Sequence, residues 1–347
     1  MKFTELLSTP QTQSDLYYAD GKLISADNSG ITYLVKDGVT FFSSFSIESD
    51  QKEDQLNTMI EAAKLTDCIT AIRQSSISTE YLLNEERRKY LDLVNIQPSD
   101  VVLEIGASLG QHTRIIAQQC KHLEALEVVP QQATFNRLWC NESNLTNVNV
   151  SCGGNDGYLP YKTNSFDVLI INYVLEWCAG RSNTSPEDFH LQLLKECNRV
   201  IKPGGKIFIS TKNRFNIRLL MGGIDEHVDF RFGNALPRKL MNYLSNKNEI
   251  CKATSCEALG YLHSKNKFEQ LMKNAGFSEL QPFLLLPDAR EPTVVETFDI
   301  AGLNRIKEQN YWKKSSKKEL IFSLLPYIIQ RNIAPSHVYI AKKHTDK

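Results

Sequence analysis

The middle of the chain alternates short apolar runs with amphipathic stretches. Apolar runs at residues 101–105, 123–128, 148–152, 166–171 and 206–210 predict strands. Between them, residues 113–120, 131–141 and 187–198 place apolar side chains at helical spacing, the last stretch being followed by Pro203, Gly204 and Gly205. Strands this apolar are covered on both faces, so the alternation predicts a parallel sheet flanked by helices. The flanking regions differ. Residues 1–45 carry β-rich runs such as 31–35, punctuated by Asp20-Gly21, Asn28-Ser29-Gly30 and Asp37-Gly38, and predict a small β appendage. Residues 46–98 are polar and keep helical spacing at Leu82, Leu83, Arg87, Tyr90, Leu91 and Val94, which predicts a helical lead-in or lid. Residues 99–347 are expected to form the main domain, with helical insertions over 213–335.

Charge narrows the partners. Lys plus Arg is 40 and Asp plus Glu is 40 over 347 residues, which gives no long-range pull toward nucleic acid or an anionic membrane, although a local basic patch is compatible with it. No apolar run approaches the ~20 residues of a membrane span. The first residues, Met1, Lys2, Phe3, Thr4 and Glu5, lack the apolar core of a secretory signal, so a cytoplasmic protein is expected. The eight cysteines form no Cys-x-x-Cys pair and are expected as free thiols; Cys251 and Cys256 lack a second ligand pair, so no metal site is expected.

The candidate chemistry centres on residues 105–110, Ile-Gly-Ala-Ser-Leu-Gly, which join a predicted strand to a predicted helix. An α/β fold binds ligands at this edge, beside a helix N-terminus. Gly106, lacking a Cβ, lets a ligand approach the backbone closely. The spacing is not the Gly-x-Gly-x-x-Gly of dinucleotide binders. It does fit the Gly-x-Ser-x-Gly nucleophile elbow, which makes a serine hydrolase using Ser108 a competing reading. That reading leaves Glu104 and Glu127 without a role and lacks a preceding oxyanion loop. Glu127 ends the second strand, where a carboxylate can accept from both hydroxyls of a ribose. With no Walker lysine and no glycine-rich phosphate cradle, the pocket suits a nucleoside that need not carry phosphates.

These residues resemble the class I S-adenosylmethionine-dependent methyltransferases. Residues 103–110 (Leu-Glu-Ile-Gly-Ala-Ser-Leu-Gly) look like the first motif, with Ser108 in place of its middle glycine. Glu127 stands at the ribose-binding acid. Residues 159–161 and 164–167 look like the segment before the fourth strand, and residues 194–205 like the helix and turn before the fifth. The resemblance implies a Rossmann-like α/β sheet of seven strands in the order 3-2-1-4-5-7-6, with the seventh antiparallel, and S-adenosylmethionine as cofactor. By it, Glu104, Gly106, Ser108, Gly110 and Glu127 contact the cofactor, Asn155 or Asp156 meets the adenine amino group, and Asn172 faces the methionine end. A narrower likeness, carried by residues 174–180, 211–216 and 224–227, points to bacterial methyltransferases of surface polysaccharide synthesis. Thr9, Thr12 and residues 30–39 resemble a small zinc-ribbon-like segment that has lost its cysteines.

Methyl transfer from a sulfonium needs alignment and exclusion of water; a base is needed only for a weak or protonated nucleophile. His227, between Asp225, Glu226 and Asp229, is the candidate base, against a solvated loop histidine as the plain alternative. Glu176, Trp177, Asn213 and Arg214 are candidates for the acceptor pocket. His112 is placed to touch the cofactor, and His337 reads as a strand residue. Lys313, Lys314, Lys317 and Lys318 form a basic cluster, either a solvated helix face or a contact for a phosphate-bearing or polyprenyl-linked acceptor. The expected function is transfer of a methyl group to a small-molecule or glycan hydroxyl or amine, with no nucleic-acid partner. A protein of the same fold that binds the cofactor without turnover is the alternative. The acceptor, the atom methylated and the oligomeric state stay open.

Overall fold

A computed structural model describes residues 5–27, 29–43, 50–75, 79–178, 184–224, 231–245 and 260–344. The chain opens with four short strands, β1 (Leu16–Ala19), β2 (Lys22–Ser25), β3 (Thr32–Lys36) and β4 (Val39–Phe41), paired antiparallel in sequence order. Asp20-Gly21 and Asp37-Gly38 each put both residues at positive φ, as the two-residue hairpin turn of type I′ requires. Four helices follow: α1 (Asp50–Leu65), α2 (Cys68–Gln74), α3 (Thr79–Leu83) and α4 (Leu91–Val94). The central alternation comprises β5 (Val101–Ile105), α5 (Thr113–Ala117), β6 (His122–Glu127), α6 (Pro130–Glu142), β7 (Val148–Cys152), β8 (Phe166–Asn172), α7 (Pro186–Val200) and β9 (Ile201–Lys212). The last third carries α8 (Ile217–Leu220), α9 (Arg238–Ser245), α10 (Lys265–Asn274), β10 (Phe277–Leu286), β11 (Val294–Thr297), α11 (Ile300–Glu308), α12 (Tyr311–Lys314), α13 (Lys317–Leu324), α14 (Tyr327–Ile333) and β12 (Ser336–Lys343).

All twelve strands join one sheet, in the order β1-β2-β3-β4-β7-β6-β5-β8-β9-β12-β10-β11. The expected seven strands are therefore too few. β4 pairs in parallel with β7, Val39 opposite Val150 and Phe41 opposite Cys152, so β1 to β4 extend the main sheet. The physical reason is the outer edge of β7, whose free N–H and C=O groups need covering. Leu7, Leu23 and Val39 are buried in that union. Two boundaries also move. α5 stops at Ala117, short of the expected 120, and β9 begins at Ile201, so Pro203, Gly204 and Gly205 lie inside the strand, where the ladder to β8 shifts register.

The two sheet faces carry separate cores, as the two-residue period of a strand dictates. On one face Leu103, Ile105, Leu169, Ile171, Ile207 and Ile209 pack with Phe189, Leu193 and Leu194 of α7 and Phe268 and Met272 of α10. On the other, Val102, Leu123, Ala125, Val150, Ile170 and Phe208 pack with Tyr90, Leu91, Val94, Ile116 and Cys140. Each fully buried side chain of this size contributes about 1.5–3 kcal/mol. A third cluster sets Leu56, Met59, Ile60 and Ile72 of the lead-in against Phe135 and Trp139 of α6, which holds the lead-in helices beside the glycine turn.

Cys68, Cys120, Cys140, Cys152, Cys178 and Cys197 are free thiols, while Cys251 and Cys256 lie outside the described residues. Among the described residues no cluster of His, Cys, Asp or Glu could hold a metal, and no helix is long and apolar enough to cross a membrane.

Candidate active site

The site is built at the carboxyl edge of β5, β6 and β8, where the sheet's backbone groups run out. Gly106 and Ala107 leave β5 with both N–H groups donating to Leu126 O, at 2.8 and 3.2 Å, which folds the glycine turn over the end of β6. Gly106, Ser108 and Gly110 all adopt positive φ. At Gly106 an added Cβ would lie 2.2 Å from Val174 Cγ2, and at Gly110 it would lie 2.6 Å from Asn136 Oδ1. Both glycines thus make room for protein side chains. Ser108 holds a left-handed conformation, φ +48, at the position where glycine is usual in the motif.

Glu127 closes β6 and is buried. Its Oε2 accepts from Ser108 N at 2.7 Å, and its Oε1 accepts from Val128 N at 2.9 Å and Val129 N at 3.0 Å. Burial raises its pKa, and the three N–H groups oppose the rise. A carboxylate offers about four acceptor positions, so this arrangement leaves one, where the sequence had suggested two for a ribose. Glu104, one strand over, is wholly buried and accepts from Thr113 Oγ1 at 2.6 Å; Thr113 accepts in turn from Asn136 Nδ2 at 3.0 Å. Burial is the main cause that pushes the Glu104 carboxyl up to about 8, and the nearby Glu127 adds to it. Thr113 and Asn136 were not singled out from the sequence. They tie α5 and α6 to β5 beneath the turn.

Asn155 and Asp156 stand just beyond β7, on the same edge, and both are exposed. Asp156 caps its own turn through Tyr158 N at 3.0 Å and accepts from Gln11 Nε2 at 2.5 Å. Asn172, at the end of β8, accepts from Ser210 Oγ at 2.5 Å. It also neighbours the Tyr90 hydroxyl, which reaches His112 Nδ1 at 3.1 Å. The Tyr90 ring stacks on Phe208, with centroids 4.7 Å apart. Burial pushes His112 down to about 3, with Arg87 adding to the shift, so the ring is neutral near pH 7. Sequence reasoning took Tyr90 for an ordinary apolar position, because helical spacing reports only which face is buried.

On the acceptor side, Glu176 is buried, with Oε2 accepting from Thr211 Oγ1 at 2.7 Å and no partner for Oε1 among the described residues. Burial pushes its carboxyl up to about 7. Val174, which fills the space at Gly106, sits two residues before it, so the two halves of the site touch. Trp177 is 51% exposed beside it. Asn213 and Arg214, expected at the acceptor pocket, are engaged by the backbone of the insertion. Asn213 Nδ2 donates to Asn332 O and Ala334 O, and its Oδ1 accepts from Phe215 N. Arg214 donates to Asn234 O and Leu236 O. These bonds brace the insertion. His227, with Asp225, Glu226 and Asp229, lies outside the described residues. The hydrolase reading finds no support among the described residues. Among the described residues no histidine is hydrogen-bonded to Ser108 Oγ, and His112, four residues on, is directed to Tyr90. His337 lies in β12, buried against Phe268.

Residues 103–209 match the family described as "Methyltransferase domain". Protein-L-isoaspartate O-methyltransferase 1 of Polaromonas sp. is 30% identical over 118 residues, 34% of this chain and 43% of that protein. Ubiquinone/menaquinone biosynthesis C-methyltransferase UbiE of Hydrogenovibrio crunogenus is 24% identical over 199 residues, 56% of this chain and 72% of that protein. The chain thus spans less than half the length of the first of these relatives. Phosphoethanolamine N-methyltransferase 2 of Haemonchus contortus, solved with S-adenosyl-L-methionine, is 16% identical over 83% of this chain and 60% of that one, at a TM-score of 0.46. Residues 103–209 are an S-adenosylmethionine-dependent methyltransferase domain.

Proposed function

We propose that the whole chain is a methyltransferase that transfers the methyl group of S-adenosylmethionine to a small-molecule or glycan hydroxyl or amine. The observation that carries this is the glycine turn clamped to Glu127 at the carboxyl edge of β5 and β6, inside the segment that matches the methyltransferase domain. Support for the fold also comes from the run β7-β6-β5-β8-β9-β12-β10, which reads 3-2-1-4-5-7-6 when its members are renumbered from β5. β12 runs antiparallel to β9 in it.

The residues fit the cofactor. Glu127 keeps one acceptor position for a ribose hydroxyl, and Asn155 or Asp156 supplies an acceptor for the adenine amino group. Asn172 faces the methionine end. Glu104 acts one layer below, holding Thr113 and therefore the start of α5 in register with the turn. When bound, the cofactor supplies an electrophilic methyl group on a sulfonium. The chain aligns the acceptor and excludes water. Glu176, with its spare Oε1 and a carboxyl near neutrality, accepts a proton or hydrogen bond from the acceptor's hydroxyl or amine. His227 is the second proposed base. A glycan acceptor rests on the resemblance of the segments at 174–180 and 211–216 alone. The Thr9 and Thr12 hydroxyls lie 2.6 Å apart where a zinc-ribbon-like segment would carry cysteines, and we read that segment as a metal-free version.

Calorimetry with S-adenosylhomocysteine tests the reading. Binding by the native chain that is lost in Glu127→Ala supports it. Absence of binding by the native chain, or binding unchanged by Glu127→Ala, overturns it. Separately, full turnover by His227→Ala with collapse of turnover in Glu176→Gln would assign the base to Glu176.

A further inference from the structure

The tip of the helical insertion exposes a group of aliphatic side chains that the fold leaves uncovered. Leu324 is 78% exposed and Ile328 75%, and Leu320, Ile321 and Ile329 beside them are each more than two-fifths exposed. They lie on two short helices in succession. Glu319 and Phe322 of α13 turn inward, while Leu320, Ile321 and Leu324 are exposed, as are Ile328 and Ile329 in the first turn of α14. Beneath them, Trp312 and Tyr327 pack against Phe322 and Phe298, so the protruding side chains stand on a fixed base.

The exposed charges within residues 311–333 are one-sided. Lys313, Lys314 and Lys317 are exposed at the N-terminal border of the aliphatic face, and Lys318 donates to Arg218 O of α8. Between residues 311 and 333 the one acid is Glu319. It is buried and held by Ser316, Tyr311 and Arg218. Arg331 also turns inward, to Glu269. Within residues 311–333 the exposed charges are therefore all positive, on a chain whose 40 basic and 40 acidic residues balance.

We propose that this face docks on the surface of an anionic lipid bilayer, with Leu324 and Ile328 seated among the acyl chains and the lysines against the headgroups. Protruding Leu and Ile bordered by lysine is the composition of helices that lie in the membrane interface. Protein interfaces instead concentrate Trp, Tyr and Arg at their centre and are depleted in lysine. The face belongs to the insertion pinned to the end of β9 through Asn213, so docking orients the carboxyl edge of the sheet relative to the bilayer. The inference stands independently of methyl transfer.

The test is flotation of the full chain with vesicles of phosphatidylcholine, and of phosphatidylcholine with phosphatidylglycerol, at low and high salt. Binding is expected to the anionic vesicles, weakening as salt screens the lysines. Lys313→Gln/Lys314→Gln/Lys317→Gln should weaken it by roughly a hundredfold, at about fivefold per lysine. Leu324→Glu/Ile328→Glu should weaken it by more than about tenfold. No binding to anionic vesicles at low salt overturns the proposal, as does binding unchanged by both variants. A dimer that Leu324→Glu/Ile328→Glu dissociates also overturns it, because the face is then a contact between copies. If the glutamate variant fails to fold, as circular dichroism would reveal, the surface lysine variant decides alone.

Discussion

Replacing Gly106 by alanine tests the geometry of the glycine turn directly. The residue sits at φ +76, and a left-handed conformation costs an L-residue about 1–2 kcal/mol. The new Cβ would also stand 2.2 Å and 2.9 Å from the two methyl carbons of Val174. Overpacking of that kind costs roughly 1–3 kcal/mol, so Gly106→Ala should destabilise the chain by about 2–5 kcal/mol. Val174→Ala removes both methyls and leaves its Cβ 3.1 Å away, a contact that small shifts can absorb. Alone it should cost about 1 kcal/mol, since Val174 is only half-buried. The double variant keeps the backbone strain and loses the overlap. The two changes should therefore fail to add, with a coupling of about 1–3 kcal/mol that favours the double variant. Urea unfolding of the four proteins, followed by tryptophan fluorescence, measures this. Additivity within about 0.5 kcal/mol, or a Gly106→Ala variant as stable as the parent, would refute the contact and with it the reading that Gly106 is required by Val174.

Three further outcomes are expected. Glu127→Ala removes the acceptor of three backbone N–H groups and should weaken S-adenosylhomocysteine binding at least about tenfold, read by calorimetry. Glu104 has a folded pKa raised from 4.5 to about 8, so its contribution to stability is complete below 4.5 and is lost as pH rises toward 8. Glu104→Gln should accordingly flatten the fall in stability across that window, by on the order of 1 kcal/mol per pH unit at most; a parallel pH profile in parent and variant would contradict it. Asn213→Ala strands two carbonyls and one N–H and should cost about 2–4 kcal/mol in urea unfolding, while leaving S-adenosylhomocysteine affinity unchanged. A variant that unfolds like the parent would contradict the bracing role.

The alternation of apolar and amphipathic runs was enough to find β5 to β8 and the helices α6 and α7, because each strand is buried on both faces and each helix on one. The Asp-Gly turns of the N-terminal hairpins were legible for a local reason too: φ of both signs is a property of the residue itself. The glycine turn and Glu127 were found from spacing alone. What those glycines make room for was not legible. Val174 meets Gly106 from 68 positions away, and only the folded chain brings it there. The same limit applies to β4 on β7, Tyr90 on His112, and Asn213 on Asn332 and Ala334. In each case the sequence period says which side of an element faces inward, and says nothing about which distant element it faces. So the order of elements, the turn chemistry and the candidate cofactor acid were determined by the sequence itself. The twelve-strand sheet, the spare oxygen of Glu176 and the bracing role of Asn213 and Arg214 were decided by tertiary structure, because a hydrogen-bonding group's role depends on which partners packing leaves within about 3 Å of it.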